Sequence, residues 1–171
     1  MAEAQTGDTR CGFVALIGVP NVGKSTLVNA LVGTKVTIVS RKVQTTRALI
    51  RGIVIEDKAQ IVLVDTPGIF APRRRLDRAM VATAWSGAHD ADLVCLLIDA
   101  RAGLDDAASA ILDRLATLPQ PKYLVLNKID LVARDRLLAL AQTINARLAF
   151  DRTFMVSALT DDGVGDLRGA L

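Results

Sequence analysis

Short, almost uniformly apolar runs alternate with stretches of helical period, and few architectures can accommodate that order. The runs are FVALIG (13–18), LIRGIVIE (49–56), IVLVD (61–65), DLVCLLID (92–99), YLVLNKID (123–130) and TFMVSAL (153–159). Between them Leu27, Ala30 and Leu31, then Leu76, Met80 and Ala84, then Ile111, Leu112 and Leu115, and finally Leu137, Leu140, Ile144 and Leu148 recur at helical spacing. A strand that is apolar at successive positions must be covered on both faces. Strands of that kind taking turns with helices predict a three-layer α/β fold, a mostly parallel sheet with right-handed crossovers. In such sheets ligands bind in the loops at the carboxyl ends of the strands.

A length of 171 residues fits a single domain with one core. With 51% hydrophobic and 23% charged residues, and no apolar run of about 18 residues, the chain suits neither a disordered class nor a membrane span. Lys and Arg number 21 against 18 Asp and Glu, a net charge of +3 that mildly favours anionic partners without identifying one. Cys11 and Cys95 each lie in an apolar segment, which predicts two buried thiols of a reducing compartment rather than a disulfide or zinc framework. MAEAQTGDTR lacks the apolar stretch of a signal peptide, so residues 1–10 are expected to form a disordered tail and residues 11–171 the domain, with a cytoplasmic address by default. Near the end Val164, Leu167 and Leu171 keep helical spacing over a segment shorter than the about 11–12 residues of an average helix. The expectation is that this helix is cut short and that a second domain belongs beyond it.

GVPNVGKS (18–25) lies between an expected strand and an expected helix, the setting of a phosphate-binding P-loop. Without Cβ atoms, Gly18 and Gly23 let the backbone wrap closely around phosphates and turn its N–H groups inward, at the positive end of the helix. Lys24 adds a charge for β- and γ-phosphates, and Ser25 a hydroxyl for Mg²⁺. Pro20, Asn21, Val22 and Thr26 complete the loop and the first helical turn, and belong to the same binding site. DTPG (65–68) offers Asp65 to a Mg²⁺ water and the Gly68 N–H to a γ-phosphate, a contact that disappears on hydrolysis. Alone it also reads as a Pro-Gly turn with a capping Asp.

NKID (127–130) selects the base. Guanine presents N1–H and N2–H₂ as donors and O6 as an acceptor, so Asp130 can take both donors while the Asn127 amide meets the acceptor edge. Adenine would leave that carboxylate unpaired. The Lys128 stem can lie along the base, and Ser157, Ala158 and Leu159 can line it, with a backbone N–H of Ser157-Ala158 offered to O6. Singly, NKID is compatible with a surface turn and SAL with a helix cap.

Taken together these residues resemble the translation-factor-type GTPases and, more closely, the Era family. The closer match is SRKVQTTRALIRGI (40–53): Era-like chains carry SRK-x-QTTR ahead of a glycine-containing strand, whereas related tRNA-modification and double-domain ribosome-assembly GTPases show a G-[TV]-TRD segment. Ala48 stands here in place of that Asp. The similarity spans about residues 13–171. It implies a three-layer, Ras-like P-loop NTPase G domain with a mostly parallel six-stranded sheet, hydrolysing GTP to GDP and phosphate by in-line attack of water with Mg²⁺. Ser25, Asp65 and a switch I threonine would hold the metal; that threonine is Thr46, with Thr45 the other register, and a plain threonine pair leading into a strand remains possible. Lys24, Thr46, Gly68 and Asn21 form the expected catalytic set.

Where Ras-like proteins place a water-orienting glutamine, this chain has Ile69. Relatives with asparagine at position 21 are thought to hold K⁺ beside the β- and γ-phosphates; Asn21 either does so or closes the loop through its own backbone bonds. Arg73, Arg74, Arg75 and Arg78 are either a nucleotide-sensitive RNA contact or a solvated basic loop; Trp85 and His89 read as structural. By the same resemblance the partners are GTP/GDP, 16S rRNA and the 30S ribosomal subunit. RNA recognition belongs to a C-terminal KH domain absent from these 171 residues. A monomer is implied, cytoplasmic or peripherally associated with the inner face of the cell membrane. The rival readings are a tRNA-modification-type GTPase domain and a nucleotide-gated switch with negligible turnover.

Overall fold

The computed structural model describes residues 9–33, 49–66, 68, 69, 73 and 75–171. Its strands are β1 (Arg10–Ile17), β2 (Leu49–Glu56), β3 (Ala59–Asp65), β4 (Leu93–Asp99), β5 (Lys122–Asn127) and β6 (Arg152–Met155); its helices are α1 (Lys24–Val32), α2 (Arg75–Asp90), α3 (Asp106–Leu115), α4 (Arg134–Arg147) and α5 (Val164–Ala170). They build a six-stranded sheet in the order β2-β3-β1-β4-β5-β6. Every pairing is parallel except β2 with β3. The expected α/β class with a mostly parallel six-stranded sheet is therefore the observed one.

Alternate residues of the apolar strands enter separate cores, which is why successive positions had to be apolar. Ala15 and Ile17, Val94, Leu96 and Ile98, and Leu124 and Leu126 pack on one face with α2, α3 and α4, through Ala84, Trp85, Ile111, Leu112, Leu115 and Ile144. Val14, Leu16, Cys95, Leu97 and Val125 pack on the other face with Leu27, Val28 and Leu31 of α1 and Val164 and Leu167 of α5. Full burial of each such leucine or isoleucine is worth about 1.5–3 kcal/mol. Trp85 is structural, as expected: it is buried, with the Arg114 guanidinium 4.5 Å from its ring centroid.

Two expectations need correction. Cys95 is buried but Cys11 is exposed, because the first half of β1 lies beyond the helical layers. Arg10, assigned to the tail, pairs in β1 opposite Ala59, and its N–H donates to the Lys58 carbonyl at 3.0 Å. Leu76, Met80 and Ala84 fall on one helix, α2, as expected; Ala84 is buried, whereas Leu76 and Met80 are 70% and 39% exposed, so the first turns of α2 do not lie on the core. Among the described residues, no helix is long and apolar enough to cross a membrane.

The order β3-β1-β4 makes β1 the point at which the chain reverses its direction across the sheet. The crevice for a ligand in a doubly wound sheet opens at such a point. β1 feeds the loop that carries GVPNVGKS, and β3, β4, β5 and β6 end around it.

Candidate nucleotide site

The P-loop joins the end of β1 to Lys24, the first residue of α1. Gly23 is the helix N-cap at φ 100°, in the left-handed region where a side chain is strained. A Cβ there would also come 2.3 Å from Asn127 Nδ2. Lys24 is 9% exposed, and its Nζ donates to the Gly18 carbonyl at 3.2 Å and the Val19 carbonyl at 3.1 Å. Val22 is buried in the α1 core, whereas Pro20, Asn21, Ser25 and Thr26 are exposed. Ser25 thus presents its hydroxyl on the open side of the first helical turn.

The DTPG turn closes on this loop. Asp65 ends β3, although its side chain, like Pro67, lies outside the described residues. Thr66 is buried and its hydroxyl donates to the Leu16 carbonyl at 2.5 Å, fixing the turn to β1. A Cβ on Gly68 would meet Pro20 Cα at 2.9 Å, so only glycine lets the two loops approach this closely. Next to it the Ile69 N–H donates to the Gly18 carbonyl at 2.9 Å, and the Ile69 side chain is 6% exposed within the core. Position 69 is thus turned inward as well as being unable to orient water.

At the end of β5, Asn127 is 2% exposed and its amide is already committed. Nδ2 donates to the Val22 carbonyl at 3.0 Å and Oδ1 accepts from the Ala158 N–H at 3.0 Å. Asn127 thus clasps the P-loop to the SAL turn, leaving one amide hydrogen for a base; of the Ser157-Ala158 N–H groups expected near O6, that of Ala158 bonds Asn127 and that of Ser157 bonds the Asp162 carbonyl at 2.9 Å. Asp130 is exposed, and its Oδ1 accepts from the buried Ser157 hydroxyl at 2.7 Å, which fixes the carboxylate. The Thr160 N–H in turn donates to Ser157 Oγ at 3.3 Å. Leu159 is 81% exposed beside them.

Lys128 adopts φ 66°, and its Nζ donates to the Asn21 carbonyl and to Asp99 Oδ2, each at 2.8 Å. Asn21 itself has φ 64°. Its carbonyl is engaged by Lys128. Asp99, not selected from the sequence, ends β4 directly beside Asn127 of β5. Burial opposes its ionisation, but the Lys128 hydrogen bond and charge together with the Arg101 and Ala102 N–H groups win, and hold its carboxyl below the usual range. The signal that could have found it is its position: like Asp65, it is an acid terminating an apolar strand.

Thr46, Thr45 and the rest of the QTTR segment lie outside the described residues, as does Arg74. Arg73, Arg75 and Arg78 are exposed at the start of α2. Among the described residues no three His, Cys, Asp or Glu side chains gather as a metal site. A cation here would depend on hydroxyl and phosphate oxygens with few carboxylates, the donor set that suits Mg²⁺.

The profile of the 50S ribosome-binding GTPase family matches residues 13–128. GTPase Era of Afipia carboxidovorans is 75% identical over 171 residues, covering 100% of this chain and 56% of that protein. GTPase Era of Brucella melitensis is 62% identical over 165 residues, covering 96% and 53%. Among solved structures, that of Era in complex with MgGDPNP and nucleotides 1506–1542 of 16S ribosomal RNA superposes with a TM-score of 0.81 at 36% identity, covering 95% of this chain and 56% of the other. The chain thus spans about half the length of the relatives it matches. The family match runs from β1 through the P-loop and the DTPG turn to Asn127 and Lys128, and the chain belongs to the 50S ribosome-binding GTPase family.

Proposed function

We propose that the chain is the guanine-nucleotide domain of an Era-type protein, binding GTP and GDP and hydrolysing GTP to GDP and phosphate. The observation that carries this is the convergence on one pocket of the P-loop, the DTPG turn, NKID and SAL, clasped by Asn127 through Val22 and Ala158. Asp130, held by Ser157, takes the N1–H and N2–H₂ donors of guanine. The P-loop amides and Lys24 bind the phosphates, and Gly68 supplies an N–H on the γ-phosphate side. Ser25, with Asp65 and Thr46, would hold Mg²⁺, which when bound neutralises charge on the β- and γ-phosphate oxygens. No side chain attacks covalently. The protein's work is positioning, charge stabilisation and exclusion of competing geometries.

Buried Ile69 favours a second reading, a nucleotide switch with very slow turnover, because that position cannot orient the attacking water. In the enzyme reading, by contrast, exposed Asn21, whose backbone carbonyl is held by Lys128, would hold K⁺ and supply the missing positive charge. Single-turnover hydrolysis with Mg²⁺ and either K⁺ or Na⁺ at equal ionic strength separates the readings. Faster cleavage in K⁺ supports the enzyme with Asn21 as cation ligand; equal rates in the two salts remove the K⁺ role, and intact GTP after many hours in both removes the enzyme.

The Era structure with 16S rRNA nucleotides supports a role in small-subunit assembly and rRNA maturation for the full-length protein. Filter binding of a 16S 3′-end fragment to a chain extended by the remainder of its relatives' length tests it. Tight binding by the extended chain is the expected result, and none would contradict the role.

A further inference from the structure

We propose that Asp99 is a positioning residue for nucleotide binding: its carboxylate fixes Lys128 so that one ammonium ties the base-binding loop to the P-loop. This rests on the guanine-nucleotide reading above. Lys128 Nζ lies 2.8 Å from the Asn21 carbonyl and 2.8 Å from Asp99 Oδ2, so a single group in the NKID loop joins the P-loop to the end of β4. Both ends of that bridge carry backbone in the left-handed region, with φ 66° at Lys128 and 64° at Asn21. Non-glycine residues persist there only when their surroundings hold them.

Asp99 is built to do the holding. Its side chain is 10% exposed, against 27% for Lys128. Oδ1 accepts from the Arg101 N–H at 2.9 Å and the Ala102 N–H at 3.4 Å, which orients Oδ2 toward Lys128. The other cation facing it, the Arg101 guanidinium, is 3.6 Å away and largely exposed, a weaker partner. The strand register fixes the rest: Asp99 sits beside Asn127 across β4 and β5, and the Ala100 N–H donates to the Asn127 carbonyl at 2.9 Å. Buried ion pairs contribute little net stability against apolar replacements. What this one supplies is geometry: it keeps the Lys128 stem along the base face and the P-loop in register with the NKID loop.

The test is dissociation of a fluorescent GDP analogue from the full chain, in Asp99→Asn, Lys128→Met and the double variant, each checked for folding by circular dichroism. Loss of a charge-assisted hydrogen bond predicts release about tenfold faster in each single variant. Because Asp99 acts through Lys128, adding Asp99→Asn to Lys128→Met should change the rate by less than about twofold. Wild-type release from Asp99→Asn, or an equal further acceleration in the Lys128→Met background, would overturn the proposal and leave Asp99 a purely structural residue. If Asp99→Asn fails to fold, Lys128→Met alone decides, with unaltered release counting against the clamp. Failure of the unchanged protein to bind the GDP analogue would overturn the guanine-nucleotide reading, and the clamp with it.

Discussion

Asp130 does the chemical selecting, and its environment makes the selection testable. The Ser157 hydroxyl at 2.7 Å leaves the rest of the carboxylate for the two donors on guanine's Watson–Crick side. An amide in its place would set a donor against N2–H₂, whereas xanthine offers a carbonyl there. Asp130→Asn should therefore weaken GDP binding about a hundredfold, from loss of charged hydrogen bonds worth about 1.5–3 kcal/mol each, and improve binding of xanthosine diphosphate. Titration calorimetry with the two nucleotides measures both changes. Asp130, Lys24 and Ser25 were legible because their chemistry is local to a motif. Asp99 and the clasp made by Asn127 were not, since Asp99 meets Lys128 across 29 positions and Asn127 meets Val22 across 105. Motif spacing carries no information about which side chain a third loop will engage.

At the scale of elements, the strands could be read because the sheet's interior is helix-covered on both sides, so successive positions there had to be apolar. Helical period was less informative. It placed Leu76, Met80 and Ala84 on one helix, the observed α2, but carried no information on which of its turns reach the core. Nor did composition reveal that β2 runs antiparallel at the sheet edge, with its register shifting between Ile50 and Gly52. Gly52 marks where α1 rests on that strand: a Cβ there would lie 2.6 Å from Val32 Cγ2 and 3.3 Å from Val28 Cγ1. Branched valines have little freedom to move aside. Gly52→Ala should destabilise the fold by about 1–3 kcal/mol through overpacking, read as a lower urea midpoint. Leu76→Ala, on an exposed turn, should stay within about 0.5 kcal/mol of the parent.

For the whole molecule, two layers on one sheet give the chain's only two cysteines opposite fates. Cys11 should react with a thiol reagent in the native protein, and Cys95 only on unfolding. Burial pushes the Cys95 thiol up from 9.0 to about 12. The unfolded chain therefore releases that proton first, so the thiol's contribution to stability is intact below pH 9.0 and is lost as pH rises from there toward about 12. Urea midpoints measured from pH 8 to 10.5 should fall more steeply for the parent than for Cys95→Ala. Equal slopes would mean that the thiol is not sealed between the sheet and its helices.

The central claim is that the loops at the carboxyl end of this sheet form a single pocket that holds a phosphate chain by backbone and Lys24 while Asp130 admits guanine. Calorimetry of the chain with GDP and with ADP, in the same Mg²⁺ buffer, tests it most directly. The account predicts tight binding of GDP and binding of ADP weaker by at least about a hundredfold, since adenine leaves the carboxylate unpaired. Equal affinity for the two nucleotides, or no binding of either, would contradict it.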